Sequence, residues 1–157
     1  MLALLGALGF WLWTVLFPSP EKVVFRMISK LGATANIQAG EGAISRASKA
    51  ATVSSLFAND AEIAFDVNEA GTRTLSGRDE IHEAVMGGFA NVPSLTVQFY
   101  DITVQVGPDK QSAEADCNAR ASTDSNRDFG IRELRFQLKK RDGDWKITRA
   151  ETVKTLQ

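Results

Sequence analysis

The sequence predicts an α+β domain, with about three helices packed on one face of an antiparallel sheet and one transmembrane helix in front. Three observations carry this. The first seventeen residues hold no charge, and every Lys, Arg, Asp and Glu lies from Glu21 onward. Apolar residues at helical spacing then recur in three segments. The last third alternates apolar and polar residues in four runs, and Asp142-Gly143 marks a two-residue hairpin between the last two.

The leader comes first. It lacks the basic start and the small-residue cleavage site of a signal peptide. Phe10, Trp11, Trp13 and Phe17 circle such a helix, so it does not read as one face of a soluble core. Residues 1–18 therefore read as a membrane anchor, with Trp11, Trp13 and Phe17 as its aromatic residues. Residues 2 to 17 extend about 24 Å as a helix. A hydrocarbon core is roughly 30 Å thick, so the anchor must thin the bilayer or pack among other helices. Lys22, Arg26 and Lys30 follow it and no Lys or Arg precedes it. That asymmetry puts the remaining domain, residues 19–157, in the cytoplasm; a periplasmic location is the alternative.

Ser19-Pro20-Glu21 reads as a helix start. Val23, Val24, Met27, Ile28 and Leu31 follow at helical spacing. Lys22, Arg26 and Lys30 form one stripe, suited either to anionic headgroups or to plain solvent. Gly40 and Gly42 break the chain. A second helix is expected from Ala43 to Phe57, closed by Asn59-Asp60, with small residues Ala47, Ala51 and Ser55 on one face. Residues 61–67 read as a strand carrying Ile63 and Phe65 on one side. Residues 72–75 continue to Ser76-Gly77-Arg78-Asp79, where Ser76 and Asp79 have capping-box spacing. A third helix carries Ile81, Val85 and Phe89. Strands are expected over 94–106, 111–122, 129–141 and 144–155. A bulge near Tyr100-Asp101 keeps Val97, Phe99, Ile102 and Val104 inward. Ala113, Ala115, Cys117, Ala119 and Ala121 make an inward row of small residues, leaving space that larger side chains or a cavity must fill. Leu134, Phe136, Leu138, Trp145 and Ile147 complete the inward set.

Leu56-Phe57-Ala58-Asn59-Asp60-Ala61, Gly77-Arg78-Asp79-Glu80-Ile81 and Asp142-Gly143-Asp144-Trp145-Lys146-Ile147 occur in this order. Together they resemble the nuclear transport factor 2-like superfamily, which includes ketosteroid isomerases and polyketide cyclases. The resemblance covers about residues 20 to 155. It implies a cone-shaped curved sheet with a pocket at its wide end, but not one function. In the isomerases a catalytic aspartate lies late on the first strand. Its place here falls on Phe65, which accepts no proton. A second acid, the oxyanion donor, aligns with Arg132. Tyr100, the single Tyr, does not match the isomerases' first-helix tyrosine. Ketosteroid isomerase activity is therefore not expected.

The remaining chemistry is sparse. His82 is the sole histidine and Cys117 the sole cysteine. His82 reads as a solvated helix residue and Cys117 as a buried thiol. No metal-ligand spacing occurs, so no metal and no cofactor is implied. Net charge is −1, so nothing points to nucleic acid. Phe65, Cys117, Arg132, Leu134 and Arg149 are the possible pocket residues. The two arginines suit a carboxylate or phosphate, or else pair with Glu62 or Asp66. The cluster Lys139-Lys140-Arg141 reads as a solvated hairpin tip. The polar outward face of the sheet predicts weak or no homodimerisation.

These readings converge on a non-catalytic, single-pass accessory or scaffolding subunit of a membrane complex, respiratory, photosynthetic or secretory. Lipids and other integral membrane subunits would be its partners. The alternative is a membrane-tethered small-molecule-binding protein, or an isomerase- or cyclase-type enzyme, using the cone pocket.

Overall fold

The structure, a computed structural model, describes residues 2–66, 71–124 and 128–153. The leader forms helix α1 (Leu2–Leu16). Then come α2 (Pro20–Thr34), α3 (Ala43–Ser55), β1 (Phe57–Asp66), β2 (Thr72–Ser76), α4 (Arg78–Asn91), β3 (Thr96–Val106), β4 (Ser112–Ser122), β5 (Asp128–Arg141) and β6 (Asp144–Thr152). The α+β expectation holds: α2 and α3 lie over a six-stranded sheet of order β2-β1-β6-β5-β4-β3, with α4 packed on α3 and β1.

The expected span does not hold. Among the described residues, no helix is long and apolar enough to cross a membrane. The 15 residues of α1 extend about 22 Å, because Pro18 and Pro20 stop it from running on into α2. Trp11, Trp13 and Phe17, expected as membrane anchors, are exposed on and just after this helix.

The sheet is not wholly antiparallel. β1 pairs with β6 in parallel, which lets the chain close the sheet after a long excursion. Asn59 and Asp60, expected to end the second helix, lie instead inside β1, where the register shifts between Phe57 and Glu62. The helix already ends at Ser55. The expected capping box is also absent. Gly77 is the N-cap residue, with φ +90, and Ser76 N–H donates to Glu80 (2.7 Å) rather than to Asp79. The bulge in β3 is where the sequence put it, between Tyr100 and Thr103, with Asp101 at φ 53. The ends of two expected strands, at Val67 and at Lys154-Thr155, lie outside the described residues.

The core sits between the sheet and the helices. Val24, Ile28 and Leu31 of α2 are buried with Ala113, Ala115 and Cys117 of β4. The alanine row is filled in two ways. Phe136 lies opposite Ala115, with its ring 6.1 Å from that of Phe99. Gly32 lets α2 approach Phe99 closely: a Cβ there would lie 3.0 Å from the ring.

Candidate functional site

The inward face of the sheet has two ends. At one, Phe57, Leu138, Trp145 and Ile147 are buried. The β5–β6 hairpin, the start of β1 and the start of α4 meet there. This end is packed shut.

At the other end the same face opens. Cys117 is opposite Leu134, and Leu134 is opposite Thr152. One pair further out, Ala119 is opposite Arg132. Ile63 is opposite Ala150, so Phe65, two residues on, shares the inward side. The structure thus brings Phe65, Cys117, Leu134 and Arg132 to one face. Leu134 and Phe65 are half-buried and Arg132 is exposed. Among the described residues Arg132 has no ion-pair partner. Cys117 is buried, and its thiol is pushed up to about 11, first by burial and then by the neighbouring Asp116 charge. It is therefore a packed thiol at neutral pH, not a nucleophile. Thr152 joins this row, and sequence reasoning missed it. Its Oγ1 accepts the N–H of Asp66 (3.4 Å). Asp66 in turn accepts from Thr72 Oγ1 (2.9 Å).

Arg149 does not belong to this pocket. Strict alternation from Ile147 would turn it inward. Instead the register shifts between Gln137 and Leu138, which pair with Arg149 and Ile147. The extra residue, Thr148, flips the phase, so Ala150 is buried and Arg149 points outward. There it meets Glu62 and Glu151, each at 2.9 Å. Beside it Arg135 bridges Asp116 (2.8 Å) and Glu114 (3.4 Å).

His82 is less solvated than expected. Its Nδ1 lies 3.0 Å from Oγ of Ser54, a buried serine on α3. The pair ties α4 to α3, and Ser54 also donates to Ala51 O (3.1 Å). The α3–α4 crevice above it is lined by Ala43, Ala47, Met86 and Ala90. Arg46 closes that crevice by donating to the carbonyls of Phe89, Val92 and Pro93. No local sequence signal announced Arg46, because these partners lie at and just past the end of α4, 43 to 47 residues on. Glu41 accepts from Lys49, Ser45 and Gln38 N–H, which hold its carboxyl down to about 2.

At the packed end the charged residues serve the backbone. Arg78 donates twice to Phe57 O (2.9 and 2.6 Å). Lys146 donates to Ser55 O (2.7 Å). Lys140 lies over the Trp145 ring, and Arg141 reaches Asp60 at 3.5 Å. Lys22, Arg26 and Lys30 are exposed along α2. Among the described residues no group of His, Cys, Asp and Glu is arranged to hold a metal ion.

The sequence profile of the SnoaL-like domain matches residues 33–151. No functionally curated protein is detectably similar in sequence. Many solved structures share the fold. One is a nuclear transport factor 2-like protein of cystatin-like fold from Novosphingobium aromaticivorans, with a TM-score of 0.65 at 18% identity, covering 83% of this chain and 79% of that one. A provisionally named scytalone dehydratase from the same organism gives 0.62 at 18% identity, covering 86% and 83%. A nuclear transport factor 2-like protein of unknown function from Pseudomonas putida gives 0.67 at 11% identity, covering 87% of each chain. At these identities the likeness establishes the fold.

Proposed function

The chain belongs to the SnoaL-like domain family, and from that premise we propose that its cone binds a small, largely apolar organic molecule carrying an anionic group. One observation carries the reading: a partly open row of Phe65, Leu134 and Cys117 ends at the exposed guanidinium of Arg132. The apolar row takes the body of the ligand. Arg132 takes a carboxylate or phenolate in a bidentate pair.

An isomerase- or cyclase-type enzyme is the second reading. A neighbour provisionally named scytalone dehydratase favours it. The described mouth offers a guanidinium and the Thr152 hydroxyl, which suit stabilisation of a developing anion. It offers neither carboxylate nor imidazole on the inward side of β4 or β5 among the described residues. Binding is therefore the leading function. A role as accessory subunit of a membrane complex rests on the apolar α1 alone and has no support from the relatives.

The test is calorimetric titration of the full chain with 2-naphthoate, an apolar aromatic carboxylate. One saturable site is expected. Arg132→Gln is expected to weaken it about ten-fold, the value of one charge-assisted pair. Leu134→Glu should abolish it. Unchanged affinity in both variants overturns the reading.

A further inference from the structure

Helix α1 is exposed in a way that a single partner helix does not resolve. Leu4 and Trp13 are 72% and 65% exposed. Nine residues apart at about 100° per residue, they lie on opposite sides of the helix. Leu5, Leu8, Phe10, Leu12, Val15 and Leu16 fill the remaining directions and are exposed too. A second copy of α1, or any single helix, covers one stripe and leaves the rest in water. An apolar solvent covers every side at once.

The neighbouring helix supplies the matching polar boundary. Lys22, Arg26 and Lys30 stand at four-residue intervals on α2, all exposed. Phe25 lies among them, 47% exposed. Lys22, Phe25, Arg26 and Val104 line one shallow depression together with a single acid, Glu21. Cations around an exposed aromatic side chain are the chemistry of a headgroup boundary.

The path of α2 fixes which end of the cone faces this boundary. Its first turn lies by Val104, late in β3. Gly32, near its other end, meets Phe99. Past that end Ile37 pairs with Leu95, just before β3 begins. So α2 runs against β3, and α1 attaches at the packed end, away from Arg132 and Leu134.

We propose that α1 lodges in the acyl region of a lipid bilayer without crossing it, that Lys22, Arg26 and Lys30 contact anionic headgroups, and that the mouth of the cone faces the aqueous phase. Ligands of the mouth then arrive from water rather than from lipid.

The test uses the full chain and two kinds of vesicle, phosphatidylcholine alone and phosphatidylcholine with phosphatidylglycerol. Flotation is expected with both, and tighter with the second. Each of Lys22→Gln, Arg26→Gln and Lys30→Gln should remove roughly five-fold of the anionic preference, and added salt should remove it too. Brominated lipid is expected to quench Trp11 and Trp13 in a Trp145→Phe background. A chain that stays in solution with both vesicles overturns the proposal. So does a detergent-stable oligomer whose tryptophans escape brominated lipid, which would assign α1 to a protein partner. Orientation is read with a fluorophore on Arg132→Cys or Arg26→Cys, since native Cys117 is 3% exposed and escapes labelling. Vesicles should shield the label at position 26 from aqueous iodide and leave the label at 132 quenchable. The reverse pattern overturns the orientation.

Discussion

Trp145 and Phe65 both lie on the inward side of the same sheet, on neighbouring strands. Trp145 is 7% exposed beneath the packed end; Phe65 is only half-buried at the mouth. Alternation decides which face a side chain takes, but not whether anything covers it. Coverage here comes from the helices. Val24, Ile28 and Leu31 of α2 are buried in the core, whereas Arg132 is exposed. One end of the face is spent on stability, and the other is left for binding.

The largest expected effect tests this contrast directly. Trp145→Ala should cost about 3–5 kcal/mol, as a large aromatic removed from a packed site does. Phe65→Ala should cost less, about 1–2 kcal/mol, because its side chain is only partly buried. Chemical denaturation of both variants measures the difference. Equal losses would mean that the mouth is core, and the contrast would fail.

A smaller effect probes the seam that closes the packed region. An alanine Cβ at position 32 would meet the Phe99 ring at 3.0 Å. Overpacking costs roughly 1–3 kcal/mol, while replacing a helical Gly returns up to about 1 kcal/mol. Gly32→Ala should therefore lower stability by about 1 kcal/mol. A gain would show that Phe99 has room to move toward the mouth.

The wide end also depends on polar ties, which respond to acid. The carboxyl of Glu41 has an ordinary value of 4.5 and is held near 2 by Lys49, Ser45 and Gln38 N–H. A folded-state pKa below the unfolded one adds stability above pH 4.5, and that stability disappears as pH falls toward about 2. Acid titration of Glu41→Gln should show a shallower loss of thermal stability across that window. An unchanged slope would remove Glu41 from the account.

Local signals made most of this architecture legible. Asp142-Gly143 specified its hairpin through turn chemistry alone, and the apolar spacing of Val24, Ile28 and Leu31 specified the buried side of α2. The residues that misled did so for non-local reasons. Asn59 and Asp60 are poor strand formers, but Phe57 and Glu62 on either side of them pair with β6, far along the chain, and keep the segment in β1. The leader's composition was plain, yet its described helix is too short to cross a bilayer. In the candidate site, Leu134 and Arg132 follow from alternation. Arg149 does not, because no residue type marks the bulge at Thr148.

The smallest expected effect separates the two arginines that the sequence put together. Arg149 and Glu62 are 38% and 49% exposed in their side chains, so water screens their attraction. A double-mutant cycle with Arg149→Gln and Glu62→Gln should return a coupling of about 0.5 kcal/mol. Affinity for 2-naphthoate should stay at the wild-type value in all three variants, since Arg149 points away from the mouth. Arg132→Gln should behave oppositely, with stability unchanged and affinity reduced. The same substitution on two strands of one sheet then separates an ion pair on the outer face from a ligand contact on the inner one. If Arg149→Gln weakens naphthoate as much as Arg132→Gln does, the outward assignment of Arg149 is wrong. The phase change at Thr148 would then have to be abandoned with it.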